Sequence, residues 1–403
     1  MKYLLVWCED RVPLQFEGAA SLLETARLTH VQQLAQAGGI GQVTWSRAHK
    51  PVNELQAHWS WLGYPEQEVR PAGRRRRHAP SSWEAGRCYA ASAHVDLGEQ
   101  EHAWCCELVT QHEGRVMDPT AGGISTKEAS RLIGSLNEKL ATPNRRWVVG
   151  ERSHHLFITT AAESADVPLN VDIDPPEHLV HRPWRRCLPR QAGSPWLRTL
   201  LEDAAELLED HEVNRVRVDL GENPANMLWA WGTGTNRPLT PFATQTGLSG
   251  AVMSRAFAVR GLAHLVGLTW LEGSAKLDES GCERMQRAAS KALASHDWLY
   301  LHLAIDQTDP IERQCLMQRV SQRLVKPLTD QLTKLEEFRL VVAVDDRSTA
   351  MTPFVAVGTQ LPNSPAVHFT SQEAAESRLI FHDGAGLFAW LTGAESAAPV
   401  STS

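Results

Sequence analysis

Three apolar runs in this sequence lead into carboxylates. Tyr3–Cys8 meets Glu9 and Asp10, Trp298–Leu303 is followed after a short gap by Asp306, and Leu340–Val344 meets Asp345 and Asp346. Such runs suit strands buried on both faces. In a mostly parallel sheet, functional groups gather at the carboxyl ends of strands. Glu9, Asp306, Asp345 and Asp346 are therefore candidate ligands for a hard divalent cation, magnesium or manganese, which prefers carboxylate oxygen. The other reading is a set of turns, which Asp favours by bonding to its own backbone.

Other residue groupings carry less chemistry. In "VNRVR", Asn214 and Arg217 lie three apart and suit a phosphate or carboxylate. "GTGTNRP" (Gly232–Pro238) follows a strand but has neither G-x-G-x-x-G nor a G-K-[ST] ending, so its glycines are expected to serve close backbone packing. His58 and Ser60 in "HWSWLGY" form no nucleophile motif, and His154–His155 read as the start of a strand. The arginines Arg74–Arg77 fall in the polar stretch Arg70–Ser82, expected to be a solvated loop.

These residues need elements to position them. Ala19–Ala37 has helical periodicity and stops at Gly38-Gly39. Trp104–Thr110 and Gly114–Asp118 read as a hairpin, and "STKE" pairs Ser125 with Glu128 as a capping box for a helix to Leu140. Asp172–Pro195 is proline-rich and reads as a boundary. Met227–Trp231 reads as a strand, and Arg255–Val266 and Glu279–Ala294 as helices. A long helix from Pro310 to about Leu335 is marked by Asp309 at the N-cap and Pro310 at the first position. Strands alternate with helices at both ends, with a hairpin-rich block between, which is an α/β chain with an α+β insertion.

Composition narrows the classes. The 403 residues are 42% hydrophobic and 22% charged, as in globular proteins. A net charge of -7 disfavours nucleic acid and anionic membrane as partners. The seven cysteines are scattered, odd in number and without C-x-x-C, which points to buried thiols in the cytoplasm. Fourteen tryptophans are many, and Trp59, Trp61, Trp229 and Trp231 sit in apolar runs, as packing residues do. No run approaches the roughly 18–20 apolar residues of a membrane span.

Several stretches, in order, resemble the archaeal-type cofactor-independent (2,3-bisphosphoglycerate-independent) phosphoglycerate mutases of the alkaline phosphatase superfamily. They are "SLLETARLTHVQQLAQAGGIGQ", "AHWSWLGY", "MDPTAGGISTKEA", "VNRVR", "NPANMLWAWGTG", "GLSGAVMSRAFAVRGLAHLVGL", "DWLYLHLAIDQTD" and "VVAVDDRST", spread over residues 3–393. The resemblance implies an alkaline-phosphatase-like core sheet flanked by helices over 1–95 and 180–395. It also implies a smaller inserted α+β domain over 96–179; the terminal residues 396–403 read as a disordered tail. The chemistry it implies is two divalent metals and a serine that becomes phosphorylated.

The sequence departs from that pattern at the chemistry. Glu9 or Asp10 stands near a metal aspartate, and the serine position is Glu54. Asp306 is kept without the histidine that should follow, and Asp346 stands where a histidine belongs next to Asp345. Asn214 and Arg217 are kept for substrate, while the family's arginine-rich stretch has become Asp118–Gly123. Losing a nucleophile or base typically costs on the order of 10⁴–10⁶ in rate. The expectation is a mutase-like scaffold that is catalytically degenerate and binds or regulates an unknown metabolite or protein. Glu54 would be inactive, Glu9, Asp306, Asp345 and Asp346 vestigial, and no cofactor needed. The alternative is a metal-dependent phosphotransferase or phosphatase with a rebuilt carboxylate site using Mg or Mn, or a residual mutase.

Overall fold

The computed structural model describes residues 1–11, 23, 28–45, 54–64, 84–163, 173–188, 194–345, 351–362 and 366–393. In chain order its strands are β1 (Lys2–Asp10), β2 (Gly39–Thr44), β3 (Glu101–His112), β4 (Arg115–Asp118), β5 (Arg145–Glu151), β6 (His154–Thr160) and β7 (Met227–Thr235). They continue with β8 (Gly250–Ser254), β9 (Thr269–Glu272), β10 (Trp298–Ile305), β11 (Phe338–Val344), β12 (Met351–Gly358) and β13 (Leu379–Phe381). Two compact units result. The first comprises 1–66, 240–256 and 266–403, and the second 67–239 and 257–265.

In the first unit, eight strands form one sheet in the order β13-β2-β12-β11-β1-β10-β8-β9. β1 lies between β10 and β11, parallel to both, and β8 continues the parallel set beside β10. β12 is antiparallel to β11 and to β2. The carboxyl ends of β1, β8, β10 and β11 therefore open on one edge.

Side chains alternate across the sheet. Leu4, Val6 and Cys8 join Leu299, Leu301, Leu303 and Ile305 in a core covered by Cys282, Met285 and Ala289 of helix Glu279–Ser295 and by Met317 and Val320 of helix Pro310–Val320. The alternate residues, Trp7 and Glu9 with Tyr300 and His302, fall on the other face, since Trp7 and His302 are register partners. The expected long helix exists, with Asp309 Oδ1 accepting from the N–H groups of Ile311 and Glu312 at 3.0 and 2.9 Å. It is broken by a π turn at Ser321–Val325, just before Pro327. Proline has no N–H to give the carbonyl four residues back, and a wider turn is one way to absorb that loss.

The second unit is built on β3, which pairs with β4, β6 and β7, all antiparallel. The capping box forms as expected: Glu128 N–H donates to Ser125 Oγ at 3.3 Å and Ser125 N–H to Glu128 Oε2 at 3.1 Å. β7 does not stop at Trp231 but runs through the glycines to Thr235. A Cβ on Gly234 would lie 2.4 Å from the Arg87 nitrogen, so close packing sets the residue type there. The unit is larger than the expected 96–179 insertion. Helices Ala85–Ser92 and Ser194–Glu209 pack on β3 and β7 and belong to it. The tail at 396–403 and Arg74–Arg77 lie outside the described residues.

Candidate functional site

Parity along the strands decides which groups meet at the sheet edge. Glu9, two residues beyond Trp7, shares its face with His302; Asp10 faces the opposite way. Helix Glu54–Trp61 lies on the Glu9 face, with Trp7 against the His58 and Trp61 rings at centroid distances of 5.1 and 5.8 Å.

Glu9 Oε2 accepts from Arg11 Nε at 2.6 Å and lies 3.0 Å from His302 Nε2. Arg11 Nη2 in turn donates to Glu54 Oε1. His302 Nδ1 lies 2.9 Å from Ser254 Oγ. His58, fully buried, meets His302 edge-on at 4.5 Å and places Nδ1 2.8 Å from the Tyr300 hydroxyl. Its Nε2 sits 3.5 Å from Glu54 Oε1. A continuous path of contacts thus runs Ser254–His302–Glu9–Arg11–Glu54–His58–Tyr300.

The electrostatics follow from burial and this pairing. Burial raises the Glu9 carboxyl, but the Arg11 guanidinium and the His302 hydrogen bond outweigh it and leave Glu9 well below the usual range. Glu54 is lowered on the same balance, burial raising it and Arg11 lowering it more. Burial, reinforced by His58, pushes His302 down to about 4, so its imidazole is neutral. Burial raises the Tyr300 phenol well above its ordinary value, with Glu9 and Glu54 adding to it.

Serine, imidazole and carboxylate in a row suggest a hydrolase triad, but Ser254 does not fit one. Its hydroxyl is completely buried and accepts the Ala256 N–H at 3.0 Å, which makes it a turn anchor.

The expected metal carboxylates do not converge. Asp10 forms a buried ion pair with Arg313 on the far face. Asp306 is exposed and paired with Arg255. Asp345 shares the Glu9 face but accepts from Trp7 Nε1 at 2.8 Å and Thr352 Oγ at 2.7 Å, and burial brings its carboxyl up to about 7. Asp346 lies outside the described residues. In the second unit, Asn214 donates to the carbonyls of Leu208 and Ala225 and accepts the Ala225 N–H. Arg217 donates to Asn223 O, Ala121 O and Glu128. Both residues tie their own unit together.

The histidines missing after Asp306 and at position 346 have no substitute at those places, but two others that the resemblance did not point to, His58 and His302, stand at the centre of the cluster. The signal lay in "WLYLHLAI". Its leucines alternate with Trp298, Tyr300 and His302, so the run has an aliphatic face and one of rings.

A family model described as 2,3-bisphosphoglycerate-independent phosphoglycerate mutase matches residues 35–214. The mutase of that description from Methanosarcina mazei is 27% identical over 397 residues, covering 94% of this chain and 96% of the relative. A probable mutase of Geobacter sulfurreducens is 26% identical, covering 95% and 98%. Among solved structures, a Pyrococcus horikoshii protein superposes with a TM-score of 0.68 at 19% identity, covering 100% of this chain and 99% of that one. A cofactor-independent phosphoglycerate mutase of Thermoplasma acidophilum superposes with 0.56 at 19% identity, covering 98% and 99%. Over nearly its whole length this chain is similar in sequence to 2,3-bisphosphoglycerate-independent phosphoglycerate mutases.

That kinship overturns the expectation that no cofactor is needed, because the mutase family's chemistry takes divalent metal ions. The geometry of the described residues does not fit such a pair of ions. Glu9 and Glu54 are held by Arg11, Asp10 by Arg313, and Asp306 by Arg255. Among the described residues no group of three or more His, Cys, Asp or Glu is arranged to hold a metal. Among them too, no helix is long and apolar enough to cross a membrane.

Proposed function

We propose that this mutase-like chain does not interconvert phosphoglycerates through a phosphorylated serine and serves as a binding or regulatory protein for a metabolite or protein partner. The observation that carries this is Glu54 itself. A carboxylate stands at the nucleophile position given by the resemblance, and Arg11 holds it. Phosphorylating it would set a phosphate beside Glu9 and break that ion pair, so charge opposes the step twice over. Asn214 and Arg217 take no part in this reading, since their side chains bond within their own unit. A cytoplasmic setting, expected from the sequence, belongs to the same proposal.

The test is phosphorus NMR of 3-phosphoglycerate with the purified protein and added Mg²⁺ or Mn²⁺. No 2-phosphoglycerate is expected. Metal-dependent conversion that Glu54→Ala abolishes would overturn the proposal.

One observation favours a second reading, a metal-dependent phosphotransferase or phosphatase using Mg or Mn at a rebuilt site. Two buried imidazoles adjoin Glu9 and Glu54. Hydrolysis of a general aryl phosphate ester that needs His302 separates this reading from the first.

A further inference from the structure

In the second unit, Glu107 of β3 is 1% exposed, and among the described residues no arginine or lysine forms an ion pair with it. Its Oε1 accepts from the Tyr89 hydroxyl at 2.7 Å and from Trp231 Nε1 at 2.9 Å. Both donors are neutral. With its proton given to Glu107, the Tyr89 oxygen is left to accept from His154 Nδ1, 3.2 Å away. That nitrogen also lies 3.5 Å from Glu107 Oε1. Contacts therefore crowd one carboxylate oxygen, while Oε2, also buried, has no hydrogen-bond partner among the described residues. Phe257 closes the group, edge-on to Tyr89 at 5.1 Å and stacked on His154 at 6.0 Å. Arg260 stands over Phe257 but pairs with Glu151 at 3.1 Å. Burial raises the Tyr89 phenol well above its ordinary value, with Glu107, Cys105 and Glu177 adding to it. A carboxylate this deep is costly unless a positive charge or a proton meets it.

We propose that Glu107 and the rings around it form a binding site for an organic cation, a protonated primary amine that donates to Oε2. The rings suit that class, because aromatic faces attract ammonium groups. A metal ion of the hard divalent kind needs several oxygen ligands, and here one carboxylate stands among rings. A phosphorylated acid is the opposite case, since this carboxylate repels it. His154 marks the way in. Its side chain is 35% exposed, while Glu107, Tyr89, Trp231 and Phe257 are buried, so the imidazole is the part that swings aside to admit the amine. The proposal rests on the binding reading above and adds the charge of the ligand to it.

The experiment titrates the full chain with n-butylammonium chloride and, separately, with n-butanol, at neutral pH and constant ionic strength, followed by saturation-transfer NMR. The ammonium is expected to bind at least about tenfold tighter than the alcohol of the same length, the order that a hydrogen bond to a charged group contributes. Glu107→Gln, which keeps the shape and an acceptor for Tyr89 and Trp231 but not the charge, should lose that preference. His154→Ala, which widens the entrance, should keep it. Should Glu107→Gln fail to fold, the two probes compared on wild type and on His154→Ala still decide. Equal binding of the two probes, a preference that survives Glu107→Gln, or no binding of the ammonium overturns the proposal; in the last case a proton on Glu107 takes the place of the ligand. Turnover of 3-phosphoglycerate would sink the binding reading instead, and it is measured separately by phosphorus NMR.

Discussion

The indole of Trp7 donates to Asp345 Oδ1 at 2.8 Å, from one strand of the central sheet to the end of its parallel neighbour. Thr352 donates to the same oxygen and in turn accepts from Trp45 Nε1 at 2.7 Å. Asp345 therefore has two neutral donors among its partners, and burial raises its carboxyl to about 7 from 3.8.

That shift has a definite sign. Between about pH 4 and 7 the folded state holds a proton on Asp345 that the unfolded chain has lost, so stability from this group is present at low pH and falls as pH rises through about 7. Wild type is expected to lose denaturant resistance from pH 5 to 8. In Asp345→Asn the acceptor oxygen remains and the titration is gone, so its loss over the same interval should be smaller. Urea midpoints at the two pH values, measured in chelator, decide it; parallel behaviour of the two proteins would show that Asp345 does not carry the effect.

Asp10 and Arg313 form an ion pair that is almost entirely buried. Removing one partner strands the other charge, at a typical cost of about 3–5 kcal/mol. Arg313→Met should fall by that order in chemical denaturation. Asp10→Asn added to it should recover a large part, because the remaining group is then neutral. A double variant no better than Arg313→Met would mean that packing, and not charge, is what Arg313 provides.

In the second unit, His155 is fully buried, and burial together with its neighbour His154 lowers it to about 3. Its Nδ1 accepts the Gly150 N–H at 3.1 Å. Here the unfolded chain binds the proton first. The contribution is complete above about pH 6.5 and is lost as pH falls toward 3, with a limiting slope of about 1.4 kcal/mol per pH unit. His155→Gln should flatten the acid limb of the unfolding curve between pH 6.5 and 4 relative to wild type, which stopped-flow or equilibrium fluorescence can read.

Local signals were legible in the sequence. Ser125 with Glu128 and Asp309 with Pro310 sit within one helical turn, and both caps form as their spacing requires. Tyr3–Cys8, Trp298–Leu303 and Leu340–Val344 are strands, adjacent and parallel. What the sequence did not disclose is pairing at a distance. Nothing near Asp10 announces Arg313, and nothing near Glu9 announces a neighbour 293 residues away. His302 is inconspicuous for another reason: it lies inside the apolar run Trp298–Leu303, where an alternation of period two is easily overlooked. The Pro327 break was visible as a residue, but not as a π turn that lets the helix continue.

The central sheet gives each β1 and β10 residue one of two separate fates. Leu4, Val6, Leu299, Leu301 and Leu303 are held in place by the helices against them, so substitutions there are paid in stability. Trp7, Glu9, Tyr300 and His302 answer to different neighbours. A substitution among these four changes the polar network at the sheet edge and leaves the apolar layer under the two helices as it was.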